Sequence, residues 1–295
     1  MRSQSTIGIH GRAMLARLSI STWTARKYDK RVSAEVNAQH SASHDAGRFN
    51  KHLFGGKAAS ASHAATIAAA GAARTAHYTN TLPWSDEGWR VLPTANYFAY
   101  IETMRNARNA FESAVRDFLS EYPALQSAAR HLLNGLYRDE DYPDQEDAAR
   151  RFAFSVDYGP IPDVGDVRVD LPSGQIAAIE QGIQSRVEQA TNAAMRDAWE
   201  RMVGVVSKLR DKLADPGAIF RDSLVSNVGE VTDILARLNI TEDPDLEAMR
   251  QRVSRELASL EPDTLRKEKG TREQAAARAQ SILDRMADLM GGPQS

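Results

Sequence analysis

The sequence predicts a mainly α-helical protein with long antiparallel helices and a small β-sheet of two or three strands. Apolar residues recur at three- and four-residue steps over two long stretches, residues 94–136 and 174–213, as they do on one face of a helix. Strict alternation of apolar and polar residues, the pattern of a half-buried strand, is clear only in residues 14–21 and 151–171. Helices therefore dominate, and the sheet is a minor component.

The first elements lie in a basic region over residues 14–80. Residues 14–21 alternate and predict a strand with one apolar face, preceded by a flexible extension over residues 1–13. Ser21 or Thr22 can cap a helix over about residues 23–39.

The rest of the basic region is predicted as a loop followed by an alanine-rich helix. Residues 40–56 are polar and contain glycine, which is typical of a loop. Residues 57–79 are rich in alanine and predict a helix with little large apolar surface. Two proline-bearing segments, Leu82-Pro83-Trp84 and Val91-Leu92-Pro93, mark the end of the region.

An acidic helical body is predicted over residues 81–290. Its first long helix begins at Thr94, and Pro123 breaks or restarts it. An acidic loop follows at residues 138–147. A β-hairpin is then expected within residues 151–171.

The hairpin prediction depends on two short alternating runs on either side of a Gly/Pro-rich turn. The runs are residues 152–157 and 166–171. A two-stranded hairpin is marginally stable alone, so the strand at residues 14–21 can join it as a third.

The longest helix is predicted at residues 174–213, where it would be roughly 55–60 Å long at 1.5 Å per residue. Such a helix needs a partner, most simply an antiparallel one. Further helices are predicted at about residues 218–238, 244–260 and 271–290, before a tail at 291–295. Asp243-Pro244 and Glu261-Pro262 mark helix starts, because proline is favoured in the first turn.

Charge is unevenly distributed along the chain. Residues 1–80 carry eleven Lys/Arg and three Asp/Glu, whereas the remaining 215 residues carry 26 Lys/Arg and 36 Asp/Glu. The total of −2 thus hides a basic quarter followed by an acidic body. This asymmetry indicates a segment that faces a polyanion, attached to a structural or partner-binding region.

Composition restricts the classes of site. The chain has no Cys, which excludes disulfides, thiolate metal sites and cysteine nucleophiles, and fits a reducing compartment. No apolar run reaches the roughly 20 residues of a membrane helix, so no membrane partner is expected.

The candidate nucleic-acid-binding face lies on the predicted helix at residues 23–39. A helical wheel places five residues on one side: Trp23, Arg26, Lys27, Lys30 and Arg31. The cations could neutralise phosphates, and an exposed Trp23 could stack on an unpaired base. Further members could be Arg48, Lys51 and Lys57, with Phe49 and Phe54. The alternatives are a solvated helix face with Trp23 packed inward, or a surface for an acidic protein.

Two other groups were considered as sites of chemistry. Six of the seven His lie in residues 1–80, including His40, His44 and His52, but no flanking motif completes a metal site. The carboxylates around the predicted hairpin are most simply turn-forming residues: Asp157, Asp163, Asp166 and Asp170. Phosphate-loop, dinucleotide-binding, GxSxG and HExxH motifs are absent from the sequence. We therefore expect no catalytic residues, metal or cofactor.

Four stretches of the sequence form a recognisable pattern. They read LSISTWTARKYDKRVSAEVN, then DAGRFNKHL, then YTNTLPW followed by RVLPTANYFAYIETMR, and finally FRDSLVSNVGEVTDILARLNIT. Together they resemble a family of uncharacterised proteins found mainly in tailed bacteriophages and prophages. The resemblance runs from about residue 15 to residue 290, and the alanine-rich residues 57–76 and the N-terminal extension depart from it.

The resemblance implies a phage origin, a setting in the bacterial host cytoplasm, and no catalytic residues. Some members are encoded near a MoxR-type AAA+ ATPase and a von Willebrand A-domain protein. The positions that match the family pattern are Trp23, Arg26, Lys27, Tyr28, Asp29, Lys30, Arg48, Phe49, Asn50, Pro83, Trp84, Pro93 and Asn96.

The leading hypothesis is a non-enzymatic phage protein of DNA metabolism that binds nucleic acid, preferably single-stranded DNA, through the basic-aromatic face. One alternative is an interaction subunit or adaptor of a MoxR-type AAA+ ATPase, and another is a virion structural or scaffold component. The acidic helices would then provide the surface for homo-oligomers or partners.

Overall fold

The structure, a computed structural model, describes residues 9–56, 60–84, 88–167, 171–215 and 217–291. The helices are α1 (Ile9–Arg12), α2 (Lys30–Gln39), α3 (Ala61–Asn80), α4 (Tyr97–Leu133), α5 (Gln145–Ala149), α6 (Ser173–Ala214), α7 (Ser223–Leu238), α8 (Pro244–Val253), α9 (Pro262–Lys267) and α10 (Lys269–Gly291). The strands are β1 (Ala13–Ser21), β2 (Arg26–Tyr28), β3 (Asn50–His52), β4 (Leu82–Pro83), β5 (Trp89–Pro93) and β6 (Ala153–Gly159). The predicted mainly α class with a minor β component is confirmed.

The chain divides into two compact units that interleave along the sequence. The helical unit contains the described residues before Leu18, then Tyr78–Tyr100, then those from Tyr158 onward. The aromatic unit contains Leu18–His77 and Ile101–Asp157. This division differs from the linear boundary expected near residue 80. It also places basic and acidic segments in one unit, because the sequence of the aromatic unit holds fifteen Lys/Arg and fourteen Asp/Glu.

The larger sheet has four strands in the order β4-β5-β1-β6. β1 pairs antiparallel with β5, with Ala13 opposite Pro93, and β4 pairs antiparallel with β5. The proline-bearing segments, expected to be boundaries, are therefore strands. Pro83 ends β4 and Pro93 ends β5, positions where proline removes little of the hydrogen-bond ladder.

The predicted hairpin is only partly correct. Its first strand is β6, but residues 164–166 form a 3₁₀ helix whose N-cap Asp163 accepts a hydrogen bond from Gly165 N at 2.8 Å. Most of the expected second strand, residues 168–170, lies outside the described residues, as does Asp170. β1 is thus placed between β5 and β6, and the predicted three-stranded sheet is replaced by a four-stranded one.

The core of the helical unit is aliphatic and centres on α6, with α7, α8 and α10 packed around it. α10 runs antiparallel to α6. Arg272 near the start of α10 donates to Leu213 O near the end of α6 at 2.9 Å, and Leu289 lines a cavity with Met195. The predicted pairing of long antiparallel helices is confirmed.

Several helix boundaries differ from the predictions. Pro123 lies inside α4 and does not interrupt it. α7 begins at Ser223, and α8 continues into a π-helical turn over residues 254–258. Both predicted proline starts are confirmed, since Pro244 opens α8 and Pro262 opens α9.

The helix predicted from residue 23 begins seven residues later. Thr24 and Ala25 are non-helical, residues 26–28 form β2, and Asp29 caps α2 by accepting a hydrogen bond from Val32 N at 3.1 Å. Residues 50–52, predicted as loop, form β3 and pair with β2.

Within the described residues, no helix combines the length and apolar character needed to cross a membrane.

Candidate nucleic-acid interface

β2 and β3 form a two-stranded antiparallel ribbon in the aromatic unit. Arg26 lies opposite His52, Lys27 opposite Lys51, and Tyr28 opposite Asn50. Because side chains alternate across a strand, the central lysine pair lies on one side of the ribbon and the two flanking pairs lie on the other. Lys51 is buried, whereas Lys27 and the flanking Arg26, Asn50 and His52 are exposed.

The inner side holds Lys51, which is only 3% exposed and fully compensated. Its Nζ lies 2.7 Å from Asp141 Oδ2 and 3.6 Å from Asp29 Oδ2, and it donates to Leu136 O at 2.6 Å. The Val32 amide, and then Lys51, hold the pKa of Asp29 below its usual range against the opposing effect of burial. Lys51 therefore serves the fold, which corrects its predicted place on the binding face.

Trp23, predicted to be exposed, is 6% exposed and belongs to the core of the aromatic unit. Its ring meets Phe54 edge-on at 5.6 Å and Tyr122 at 5.9 Å, and the Arg151 guanidinium lies 5.0 Å from its centroid. It cannot stack on a base. Trp23 and Ala25 are buried and Thr24 is exposed, so the segment follows the strand period and not the helical one assumed for it.

Two further predicted cations are exposed but lie close to carboxylates. Arg31 forms an ion pair with Glu35 at 2.6 Å, one turn along α2. Lys27 lies 3.9 Å from the same Asp141 that binds Lys51. Both have reduced ability to attract an anion.

Arg26, Lys30 and Arg48 are exposed, and no ion pair is formed by any of them within the described chain. The Arg48 guanidinium lies 4.8 Å from the Tyr28 ring centroid, in cation–π contact. Lys57, which the sequence also suggested, lies outside the described residues.

The outer side of the ribbon is thus a basic surface with an aromatic ring. We call it the β2–β3 face and define it as Arg26, Tyr28, Arg48, Asn50 and His52. All but the half-buried Tyr28 are exposed. Cations, amides and an aromatic ring on an extended backbone are the groups that contact phosphates and bases in single-strand binders.

A cavity of about 420 Å³ adjoins this face. Arg26 and His52 line it together with His63 and Thr24, and its apolar wall comprises Ala25, Phe54, Ala64, Ile67 and Ala68. Ala25 adopts φ = 50°, a left-handed conformation disfavoured for alanine, and its carbonyl accepts a hydrogen bond from Leu53 N at 2.9 Å. The turn that shapes the cavity is therefore held in a strained conformation by the residue that follows β3.

His63 is the half-buried basic group of the cavity. Its Nε2 lies 2.7 Å from Trp23 O, and because a carbonyl only accepts, Nε2 carries the proton. Burial lowers the pKa of His63, the hydrogen bond to Trp23 O opposes this, and His52 lowers the pKa further. The neutral ring leaves Nδ1 as an acceptor.

The other groups considered from the sequence are not assembled. Among the described residues, no group of three or more His, Asp or Glu is placed to hold a metal ion. His44 lies 3.8 Å from Asp45 on the exposed loop after α2. Asp163 caps a 3₁₀ turn, as the turn interpretation predicts.

Sequence reasoning missed Tyr28, Asn50, His52 and His63 as members of the site. Arg26, Lys27 and Tyr28 do not alternate between polar and apolar residues, and their partner strand β3 lies more than twenty residues away. His63 carried no local signal, because α3 and the segment around Trp23 meet only in the folded chain.

In comparisons with known proteins, no family model, curated protein or solved structure matches the chain.

Proposed function

We propose that the protein is a non-enzymatic, nucleic-acid-binding protein of phage DNA metabolism that acts in the host cytoplasm and prefers single-stranded DNA. The binding surface is the β2–β3 face with Lys30 beside it. It replaces the helical face expected from the sequence, and retains Arg26, Lys30 and Arg48 of that prediction.

The observation that carries this proposal is the contrast in ion pairing among the cations. Arg26, Lys30 and Arg48 have no carboxylate partner in the described chain, although fourteen Asp/Glu belong to the same unit. A phosphate backbone supplies the missing charge, and the Tyr28 ring adds a surface that any base can contact.

The test is fluorescence anisotropy of labelled single- and double-stranded 40-mers at several salt concentrations, with light scattering on the same samples. The single strand should bind more tightly, and affinity should fall as salt rises. Replacing Arg26, Lys30 and Arg48 by Ala should lower the log K against log salt slope by about 2, since each single-strand phosphate contact contributes about 0.7.

A matched control removes the same charge from paired cations of the same unit. The variant Arg105→Ala/Arg130→Ala/Arg150→Ala loses three arginines that already pair with Glu102, Asp139 and Glu146. Its slope should stay close to that of the wild type. Equal slopes for both triple variants, or no binding by the wild type, would defeat the proposal.

The runner-up function is a subunit or adaptor of a MoxR-type AAA+ ATPase. It is favoured by the first half of α6, where Ile176, Ile179 and Ile183 form a stripe and Ile179 is 40% exposed. A pull-down with the ATPase, with and without nucleotide, tests it. An Ile179→Glu/Ile183→Glu variant should lose the complex if the stripe is the docking surface.

A further inference from the structure

We propose that the cavity beside the β2–β3 face holds one unstacked base of the bound single strand. This inference rests on the proposed function and assigns a second site to it. Arg26 and His52 belong both to the face and to the cavity lining, so the two are continuous. A strand whose phosphates lie along the face must pass the mouth of the cavity.

The lining suits a base in its chemistry and size. The volume of about 420 Å³ lies within the range of small-molecule pockets, about 300–1,000 Å³. Apolar atoms of Phe54, Ile67 and Ala68 form the wall. A small number of basic side chains complete the lining. An apolar wall with few polar groups is the usual composition of such a pocket.

His63 gives the cavity a polar group that matches a base edge. Its proton is engaged by Trp23 O, so the neutral ring presents Nδ1 as an acceptor. The edges of thymine, guanine, adenine and cytosine all carry N–H donors, whereas a sugar–phosphate backbone carries none. Arg26 and His52 are then positioned for the flanking phosphate.

The inference is tested with two labelled 20-mers of equal charge, oligothymidine and the same backbone without bases. The wild type should bind oligothymidine roughly tenfold or more tightly, as one base stack contributes. Ala68→Trp fills the cavity from an exposed position and should lose most of this preference, leaving only the part that Tyr28 contributes on the β2–β3 face. Ala65→Trp, exposed on the same helix but outside the lining, should keep the wild-type preference.

The outcomes separate this inference from the proposed function. If the wild type binds both probes equally, or if Ala68→Trp retains the full preference, the cavity is not a base site, although salt-dependent binding preserves the proposed function. If neither probe binds the wild type, both proposals fail. Ile67→Ala, a smaller change in an exposed residue, guards against misfolding of the Trp variant and should reduce the preference severalfold.

Discussion

The two sides of the β2–β3 ribbon carry the same kind of residue and use it in opposite ways. On the inner side, Lys51 is buried and bound by Asp141 and Asp29, and Lys27 lies near the same carboxylate. On the outer side, Arg26 and His52 face solvent beside Arg48, without ion pairs in the described chain. The number of cations in a sequence therefore does not give the charge that a ligand meets. The side of the strand on which a cation lies also matters, because carboxylates are near the cations on one side only.

Removal of the buried lysine should have the largest effect on stability. Lys51→Met should lower the free energy of unfolding by about 3–5 kcal/mol, because it leaves buried carboxylates without their partner. Urea denaturation measures this. Lys30→Met, at an exposed unpaired lysine, should change stability by less than about 0.5 kcal/mol, and similar losses for both would contradict the assignment.

The same contrast can be measured as single-strand binding, because two neighbouring residues lie on opposite sides of β2. Arg26→Gln should weaken single-strand binding severalfold and reduce the salt slope by about 0.7, the value of one phosphate contact. Lys27→Gln should reduce both by less, since that lysine already lies 3.9 Å from Asp141. Anisotropy titrations decide it, and a larger loss for Lys27→Gln would reverse the two sides.

The protonation of His63, a residue that lines the cavity, makes the stability of the protein depend on pH. Its pKa is lower in the folded chain than the ordinary 6.5, so the unfolded chain binds the proton first as pH falls. Stability should therefore rise as pH increases toward 6.5, the range in which the unfolded chain still binds the proton. His63→Gln, which can still donate to Trp23 O, should flatten this part of the curve in denaturation at pH 5.5 and 8. An unchanged curve would show that His63 is not perturbed.

Conversion of a paired cation into a free one should have a weaker effect than the changes above. Glu35→Gln removes the exposed partner of Arg31 and should change stability by at most about 0.5 kcal/mol. The freed Arg31 lies on α2 near the β2–β3 face and should strengthen binding up to severalfold. Weaker binding by this variant in the same anisotropy assay would place Arg31 outside the interface.

Much of the fold could be predicted because the signals were local. The long period of α6 and the prolines at the starts of α8 and α9 each specify structure within a few residues. The strand β1 was found for the same reason, from alternation alone.

The site was harder because its members are brought together over long distances. Trp23 was placed on a helical wheel, although its true neighbours, Phe118 and Tyr122, lie about a hundred residues away. The burial of Lys51 depends on Asp141, in a segment whose acidic composition predicted only a loop. Composition identified the basic quarter but could not show which of its cations the acidic segment neutralises.

The separation of Lys51 from Asp141 has a consequence for synthesis on the ribosome. The two residues are 90 positions apart, so at about 5–20 residues per second the carboxylate is made roughly 5 to 20 seconds after the lysine. During that interval only Asp29, the more distant of its two carboxylate partners, has been made, so burial of Lys51 is less favourable. The aromatic unit therefore gains the closest carboxylate partner of Lys51 only after its acidic segment has been synthesised.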